Sequence, residues 1–329
     1  GDTIKTIRNE YEMNHIKNSL SDYNSNSITK IGFAVDMEIV PSKIQLVNIS
    51  GNTLEGDIFY VKNKINYIES AKIENTSTTI KDFFQNNSVE TKVMNSYYGS
   101  DVNTPINLKN EKTIFSDEST IETAYQYAYE KGNQKLIDAN MVGIPLDTEV
   151  KKDGKTISKA ETKYDNPVNL LPSSVLSYNM QSNTPSTEVT YDIYDGKRNL
   201  IQYTTKAGVS TSIIWGYNQT QPIAKIEGAK LSDITQTLIN SIVNASDDTN
   251  ANYSESTLLN QLDAFRIALP NFQISTYTYK PLIGVTTITP PSGIREYYFY
   301  DTANRLESVK TNENGVLTTL KEYQYHYKP

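Results

Sequence analysis

Tyr194-Asp195-Gly196-Lys197-Arg198-Asn199-Leu200 and Tyr300-Asp301-Thr302-Ala303-Asn304-Arg305-Leu306 are two copies of one pattern, Tyr-Asp-x-x-x-(Asn/Arg)-Leu. A third copy with the same spacing runs from Tyr164-Asp165 to Asn169-Leu170. The first two stay in register further on. Leu200 is followed by Gln202-Tyr203, Gly208 and an apolar run, Ser212 to Tyr217. Leu306 is followed by Ser308-Val309, Gly315 and the aromatic run Tyr323 to Tyr327. Each residue has a physical role in such a unit. Tyr ends a strand, and Asp opens a tight turn because its side chain can accept a backbone N–H. Leu re-enters the next strand facing the core, and Gly supplies the positive φ of the following turn. A hairpin of this kind cannot bury its own apolar face, so copies must stack on their neighbours.

Alternation at period two extends the same reading toward the N-terminus. Ile31, Phe33, Val35, Met37 and Ile39 share one face, and strands are predicted again over Lys43–Ile49, Asp57–Val61 and Asn63–Ile73. Ser50-Gly51-Asn52 and Lys62-Asn63 are turn signals between them. Thr78–Phe84 and Val89–Tyr98 read as a hairpin turning at Gln85-Asn86-Asn87. Helix is predicted in three places. Asn133–Met141 is a short stretch ended by Gly143 and Pro145. Leu231, Ile234, Leu238 and Ile242 recur at helical spacing, and so do Leu258, Leu262, Phe265 and Leu269 before Pro270. The last two form a helical hairpin near 231–269 inserted between strands, with core faces as its stripes; a docking surface for a partner is the other reading.

Composition agrees with sheet. Of 329 residues only 37% are hydrophobic, which suits an extended sheet better than a thick core. There are 24 Tyr against 8 Phe and 1 Trp, and Tyr packs its ring in a strand while its hydroxyl reaches a polar partner. A net charge of −7 with no long Lys/Arg run argues against nucleic acid and anionic membrane surfaces. No apolar stretch approaches the roughly 20 residues that span a bilayer as a helix. The absence of Cys excludes disulfides and thiolate chemistry. Residues Gly1–Glu10 lack the apolar core of a signal peptide, which leaves either a cytoplasmic chain or a processed or truncated piece, and Gly1 in place of Met favours the expectation of a piece.

The Tyr-Asp, Arg/Asn-Leu and Gly spacing resembles the YD repeat of RHS proteins. Asn140–Pro145, Ile213–Tyr217 with Pro222–Ile226, and Thr276–Thr286 resemble the C-terminal region of RHS-repeat proteins of the Flavobacteriia, within the Bacteroidota. The resemblance is strong over 122–329 and pattern-level over 1–121. It implies two regions, degenerate hairpin repeats over 1–121 and a YD-repeat-like region over 122–329. It implies an all-β fold, an extended and spiralling antiparallel hairpin sheet of RHS/YD-repeat type. It also implies an exported or outer-membrane surface location, with type IX secretion as a route and protein partners in the cell envelope. The toxin-carrying branch of that family uses an Asp-Pro-rich motif to release a cargo; this sequence has no Asp-Pro dipeptide. Asp301-Thr302-Ala303 and Asp2-Thr3-Ile4 look like the short O-glycosylation signal of Bacteroidota.

Residues that could carry catalysis are scarce. His15 and His326 are the only histidines, and neither has metal-ligand spacing to a second His. No nucleophile elbow, phosphate loop or dinucleotide fingerprint occurs. Asp192 with Asp195, and Asp247-Asp248, are the carboxylate pairs on which a secreted hydrolase would depend, and both read as turn residues. Asp165, Asp195 and Asp301 fill one place in a repeat and read as turn-formers, with Tyr164, Tyr194, Tyr300, Gly208 and Gly315 completing the set. Tyr203, Trp215 and Tyr217 are candidates for an aromatic platform for a surface glycan, or else for simple packing. The expectation is a non-enzymatic structural and interaction protein without cofactor or metal, with cargo or subunit of an outer-membrane secretion assembly as a variant, and the alternatives are a carbohydrate-binding surface adhesin and a secreted carboxylate hydrolase.

Overall fold

The computed structural model describes residues 5–14, 30–47, 53–69, 72–84, 87–99, 105–248, 254–313 and 315–325. Nineteen strands and three α-helices occur among them, and seventeen of the strands belong to one antiparallel sheet. The chain forms two compact units, Gly1–Ser158 and Lys159–Pro329. Position 121, the boundary expected from the repeats, lies within a strand of the first.

The first unit is a meander. β1 (Lys5–Asn14) pairs with β4 (Lys72–Phe84), which continues to β5 (Asn87–Tyr97), β6 (Leu108–Ile114), β7 (Thr120–Gln126) and β8 (Asp147–Lys152). Between β1 and β4, β2 (Lys30–Val47) and β3 (Thr53–Glu69) form a separate two-stranded sheet. Two strands were expected where β2 is continuous. Pro41 keeps its place in the ladder opposite Phe59, since in a two-stranded sheet both strands are edges, where Pro is tolerated. α1 (Gln134–Asp138) is a single turn after β7, capped by the Asn133 side chain, with Leu136 fully buried. Asp153 and Gly154 both have positive φ and close a two-residue hairpin turn between β8 and β9 (Lys155–Lys163).

In the second unit β9 pairs with β10 (Ser174–Tyr178), and the meander runs on through β11 (Pro185–Tyr194), β12 (Leu200–Thr205), β13 (Ser210–Gly216) and β14 (Gln221–Glu227). Here the helical insert leaves the sheet. α2 (Gln236–Asp247) and α3 (Glu255–Ala268) precede β15 (Gln273–Lys280), yet β14 and β15 pair directly, Ala224 opposite Thr276. β16 (Gly284–Thr289), β17 (Glu296–Tyr300), β18 (Leu306–Glu313) and β19 (Val316–Glu322) complete the run.

The expected helical hairpin is therefore present, but α2 starts at 236 rather than at Leu231. Leu231–Asp233 is a 3-10 turn whose Asp233 carboxylate takes the Lys230 N–H, and Thr235 is the N-cap of α2. The two helices lie over β13–β15, where Ile214, Ile223, Ile226 and Ile274 meet Ile242, Leu258, Leu262 and Phe265 in one buried cluster. The aromatic run after Gly315 is not the next strand: β19 is Val316–Glu322, and Tyr323–Tyr325 follow it outside any strand. The turn is set earlier because the Asn312 side chain accepts the Gly315 N–H, φ of Gly315 being +86°.

Candidate functional site

Two of the three Tyr-Asp segments build one and the same turn. Asp195 Oδ1 accepts the N–H groups of Lys197 (2.9 Å) and Asn199 (2.8 Å), and Oδ2 accepts Asn199 Nδ2 (3.0 Å). Asp301 Oδ1 accepts the N–H groups of Ala303 (2.8 Å) and Arg305 (2.9 Å), and Oδ2 holds Arg305 Nε (2.7 Å). The fourth residue is left-handed in both, Arg198 at φ +71° and Asn304 at +58°. The Arg305 guanidinium and these N–H groups hold the Asp301 carboxyl below its usual range.

Asp165 does not make this turn. The place of the first N–H donor is taken by Pro167, which has none. The segment closes by Asx turns instead, Asn166 accepting the Val168 N–H and Asn169 the Leu171 N–H, while the Asp165 N–H reaches Ser173 Oγ. Gly208, at φ +77°, closes β12–β13.

The tyrosine of the motif has a partner that sequence reading missed. Tyr194, at the end of β11, donates its hydroxyl to Pro172 O, just before β10 (2.8 Å). Tyr300, at the end of β17, donates to Val285 O at the start of β16 (2.9 Å). The same bond recurs at the open end of other antiparallel pairs. Tyr127 donates to Leu108 O across β6–β7, Trp215 Nε1 to Leu200 O across β12–β13, Tyr279 to Pro222 O across β14–β15, and Tyr325 to Leu306 O across β18–β19. Each pair has its turn or insert at one end and an aromatic donor at the other. Gly284 makes room for one of these bonds, since a Cβ there would collide with the Tyr300 hydroxyl. Burial pushes the Tyr194 and Tyr279 phenols up to about 12 and raises Tyr127, Tyr298 and Tyr300.

Successive turns also touch. Asn199 Nδ2 reaches Gln219 O (2.9 Å) and Lys197 Nζ bonds Asn218 O, one hairpin on. Arg305 stacks on Tyr325, its guanidinium carbon 4.4 Å from the ring centre. The contacted turn, Tyr217-Asn218-Gln219, has φ of +51°, +57° and +61°. Three successive left-handed L-residues cost roughly 1–2 kcal/mol each, so the surroundings must hold them. Ser246 Oγ accepts the Tyr217 N–H (3.2 Å) and Asp247 Oδ1 the Asn218 N–H (2.7 Å), both from the end of α2.

Between this turn, the Asp195 turn and α2 lies a cavity of about 270 Å³. Ile201, Ile213 and Trp215 line it from the hairpin, and Leu231, Ile239 and Val243 from the α2 side. Its polar members are Asp195, Gln219, Gln236 and Asn240. Tyr203 and Tyr217 are not among the lining residues. Tyr217 packs on the buried cluster, edge-on to Tyr279, and accepts the Tyr279 N–H. Tyr203 faces Lys225. The three rings named as candidates for one platform, or else for packing, have separate surroundings. Asp192 lies in β11 rather than a turn and accepts from Gln202 and Thr204. His15, His326 and Asp2-Thr3-Ile4 lie outside the described residues. No cluster of three or more His, Asp or Glu placed to hold a metal occurs among the described residues. No helix among them is long and apolar enough to cross a membrane.

No family model matches the chain, and no curated protein matches it. Among solved structures it is similar to a chain of "TcdB2-TccC3-Cdc42" at 12% identity and a TM-score of 0.33, covering 76% of this chain and 12% of that one. It is similar to "TcdB2-TccC3 without hypervariable C-terminal region" at 9% identity and a TM-score of 0.32, covering 94% and 20%. A porin-like protein from Bacteroides uniformis aligns at 14% identity and a TM-score of 0.18, covering 86% and 87%. The chain thus spans at most about a fifth of the length of the two TcdB2-TccC3 chains. Likeness at these TM-scores is silent on function, and the residues themselves must carry it.

Proposed function

We propose that this chain is a non-enzymatic structural and interaction segment of RHS/YD-repeat type, exposed on the exterior of a Bacteroidota-type cell, with protein partners in the envelope. The observation that carries the reading is the repeated closure. An aromatic N–H or O–H ties the open end of six antiparallel pairs, and in two of them the next residue is an Asp that builds the turn onward. Such a device stiffens a thin sheet of hairpins stacked side by side, and it leaves the Asp carboxylates spent on their own turns. A flavobacterial type and a type IX export route rest on sequence resemblance alone and belong to the proposal.

The test is a pull-down of the native protein from envelope fractions, with mass spectrometry of what accompanies it. A recurring outer-membrane or secretion component is the expected outcome. Recovery from the cytoplasmic fraction with no envelope partner would overturn the reading.

A further inference from the structure

We propose that the cavity between α2 and the β12–β13 hairpin binds a small uncharged amphiphile, an apolar body bearing an amide-like head. This goes beyond the structural role of the sheet and does not depend on it. Three observations converge on the site. Its volume, about 270 Å³, falls just below the ~300–1,000 Å³ of pockets for drug-sized ligands, so its ligand is smaller than those. Its wall is preorganised, because Trp215 Nε1 donates to Leu200 O at 2.9 Å and this bond favours the ring position that faces the cavity. Its rim includes Gln219, the last residue of the left-handed turn, and strain of that kind collects at ligand clamps.

The lining chooses the chemistry. No Lys or Arg lines the cavity, so an anion finds no counter-charge. The one carboxylate, Asp195, has both oxygens committed to its turn, so a cation gains little from it. Gln236 and Asn240 pair with each other along α2, Gln236 Nε2 donating to Asn240 Oδ1 at 2.8 Å. That pairing leaves an amide N–H₂ on Asn240 and a carbonyl on Gln236 to offer, which match one donor and one acceptor on the ligand. A free sugar fits less well. Its hydroxyls point outward all around the ring, and those facing Ile239 and Val243 would lose water and gain no partner. An apolar body against Trp215, with a single amide head toward Asn240 and Gln236, leaves nothing unpaired.

Trp215 is the only tryptophan of the chain, so its fluorescence reports on this cavity alone. The full-length protein would be titrated with N-acetyl-leucinamide, isobutyramide, methyl glucoside and isobutyrate, each to about 10 mM because a ligand so small binds weakly. Saturable responses to the two amides, with the glucoside and the anion silent, are expected. A stronger response to N-acetyl-leucinamide than to isobutyramide would identify a peptide as the source of the ligand, and equal responses a free small molecule. Val243→Phe, which fills the cavity, should abolish the response. Asn240→Leu, on the exposed face of α2, should weaken it about tenfold with unchanged circular dichroism. No saturable response, a response confined to the glucoside, or equal binding of the anion would each overturn the proposal. If Val243→Phe does not fold, an undiminished affinity in Asn240→Leu overturns it as well.

Discussion

Replacing Tyr194 and Tyr279 by Phe removes one oxygen atom from each of two closures and leaves their rings in place. Each hydroxyl donates to a backbone carbonyl, Pro172 O at 2.8 Å and Pro222 O at 3.0 Å, and each is partly buried. A net hydrogen bond of this kind contributes about 0.5–1.5 kcal/mol, and a half-buried carbonyl left without its donor puts the cost near the middle of that range. The two sites lie on β11 and β15, four strand spacings apart, or about 19 Å at ~4.8 Å per strand. That exceeds the 7–10 Å beyond which mutational effects add, so the double variant should lose about 2 kcal/mol. For a unit the size of residues 159–329, about 2–4 °C accompanies each kcal/mol, giving a fall in Tm of roughly 4–8 °C. Tyr277 is the control, since it shares β15 with Tyr279 but stands inside the strand and not at its open end. Tyr277→Phe should melt with the parent. Thermal unfolding followed by Trp215 fluorescence reads all four proteins. A double variant within 1 °C of the parent on the same ~1 kcal/mol scale, or a Tyr277→Phe that loses as much as Tyr279→Phe, would refute the closure argument.

The raised phenol pKa values set a window of alkaline sensitivity. The fold favours the neutral phenol, so its contribution is complete below pH ~10, the unfolded value, and is lost as pH rises through the folded value of about 12. The gap in stability between the parent and Tyr194→Phe/Tyr279→Phe should therefore narrow between pH 10 and 12, as read by urea unfolding at each pH. At Gly216 an added Cβ would collide with Ser246 Oγ and lie 2.9 Å from two methyls of Ile223, whereas at Gly196 it meets nothing. Gly216→Ala should cost about 1–3 kcal/mol by overpacking and Gly196→Ala almost nothing, measured by denaturant unfolding. The Asp301 carboxyl, held low by Arg305, supports the fold at pH above its unfolded value and withdraws that support as pH falls through its lowered one. Arg305→Leu should move its titration, followed by carboxyl NMR, up toward the ordinary range.

The strands and the paired helices were legible because both rest on periodicities that the sequence displays directly. What escaped depends on groups without a residue-type signature. The acceptors of the aromatic closures are backbone carbonyls such as Pro172 O and Val285 O, which any residue carries, and only the register brings them opposite a given Tyr. The failure of the Asp165 turn was open to sequence reading in principle. The turn uses the N–H two residues after Asp, and Pro167 stands there, but the spacing of Tyr, Asp and Leu hides which atoms the turn requires. The cavity was not legible at all, since it is a gap left where α2 meets β12–β13. Trp215 does line a cavity, but its neighbours Tyr203 and Tyr217 are grouped with it only by proximity in sequence. The left-handed turn at 217–219 carries Tyr217 onto the buried cluster, an outcome that no period-two count foretells.

Five of the 24 Tyr owe their preference over Phe to the closure geometry. In a thick core a phenol is a liability, because its hydroxyl must find a partner or be buried at a cost of about 1–3 kcal/mol. In a sheet of hairpins the ladder stops at the open end of each pair, and the next carbonyl there has lost its cross-strand donor. A Phe at that place would bury the same ring and leave the carbonyl to water. A Tyr, or the indole of Trp215, supplies the donor and packs the ring at once. Selection for closure favours Tyr over Phe at these five strand ends without any demand from a ligand. It would also let a chain with 37% hydrophobic residues hold its hairpins together, because part of the cohesion between strands is carried by hydrogen bonds at their ends rather than by buried area.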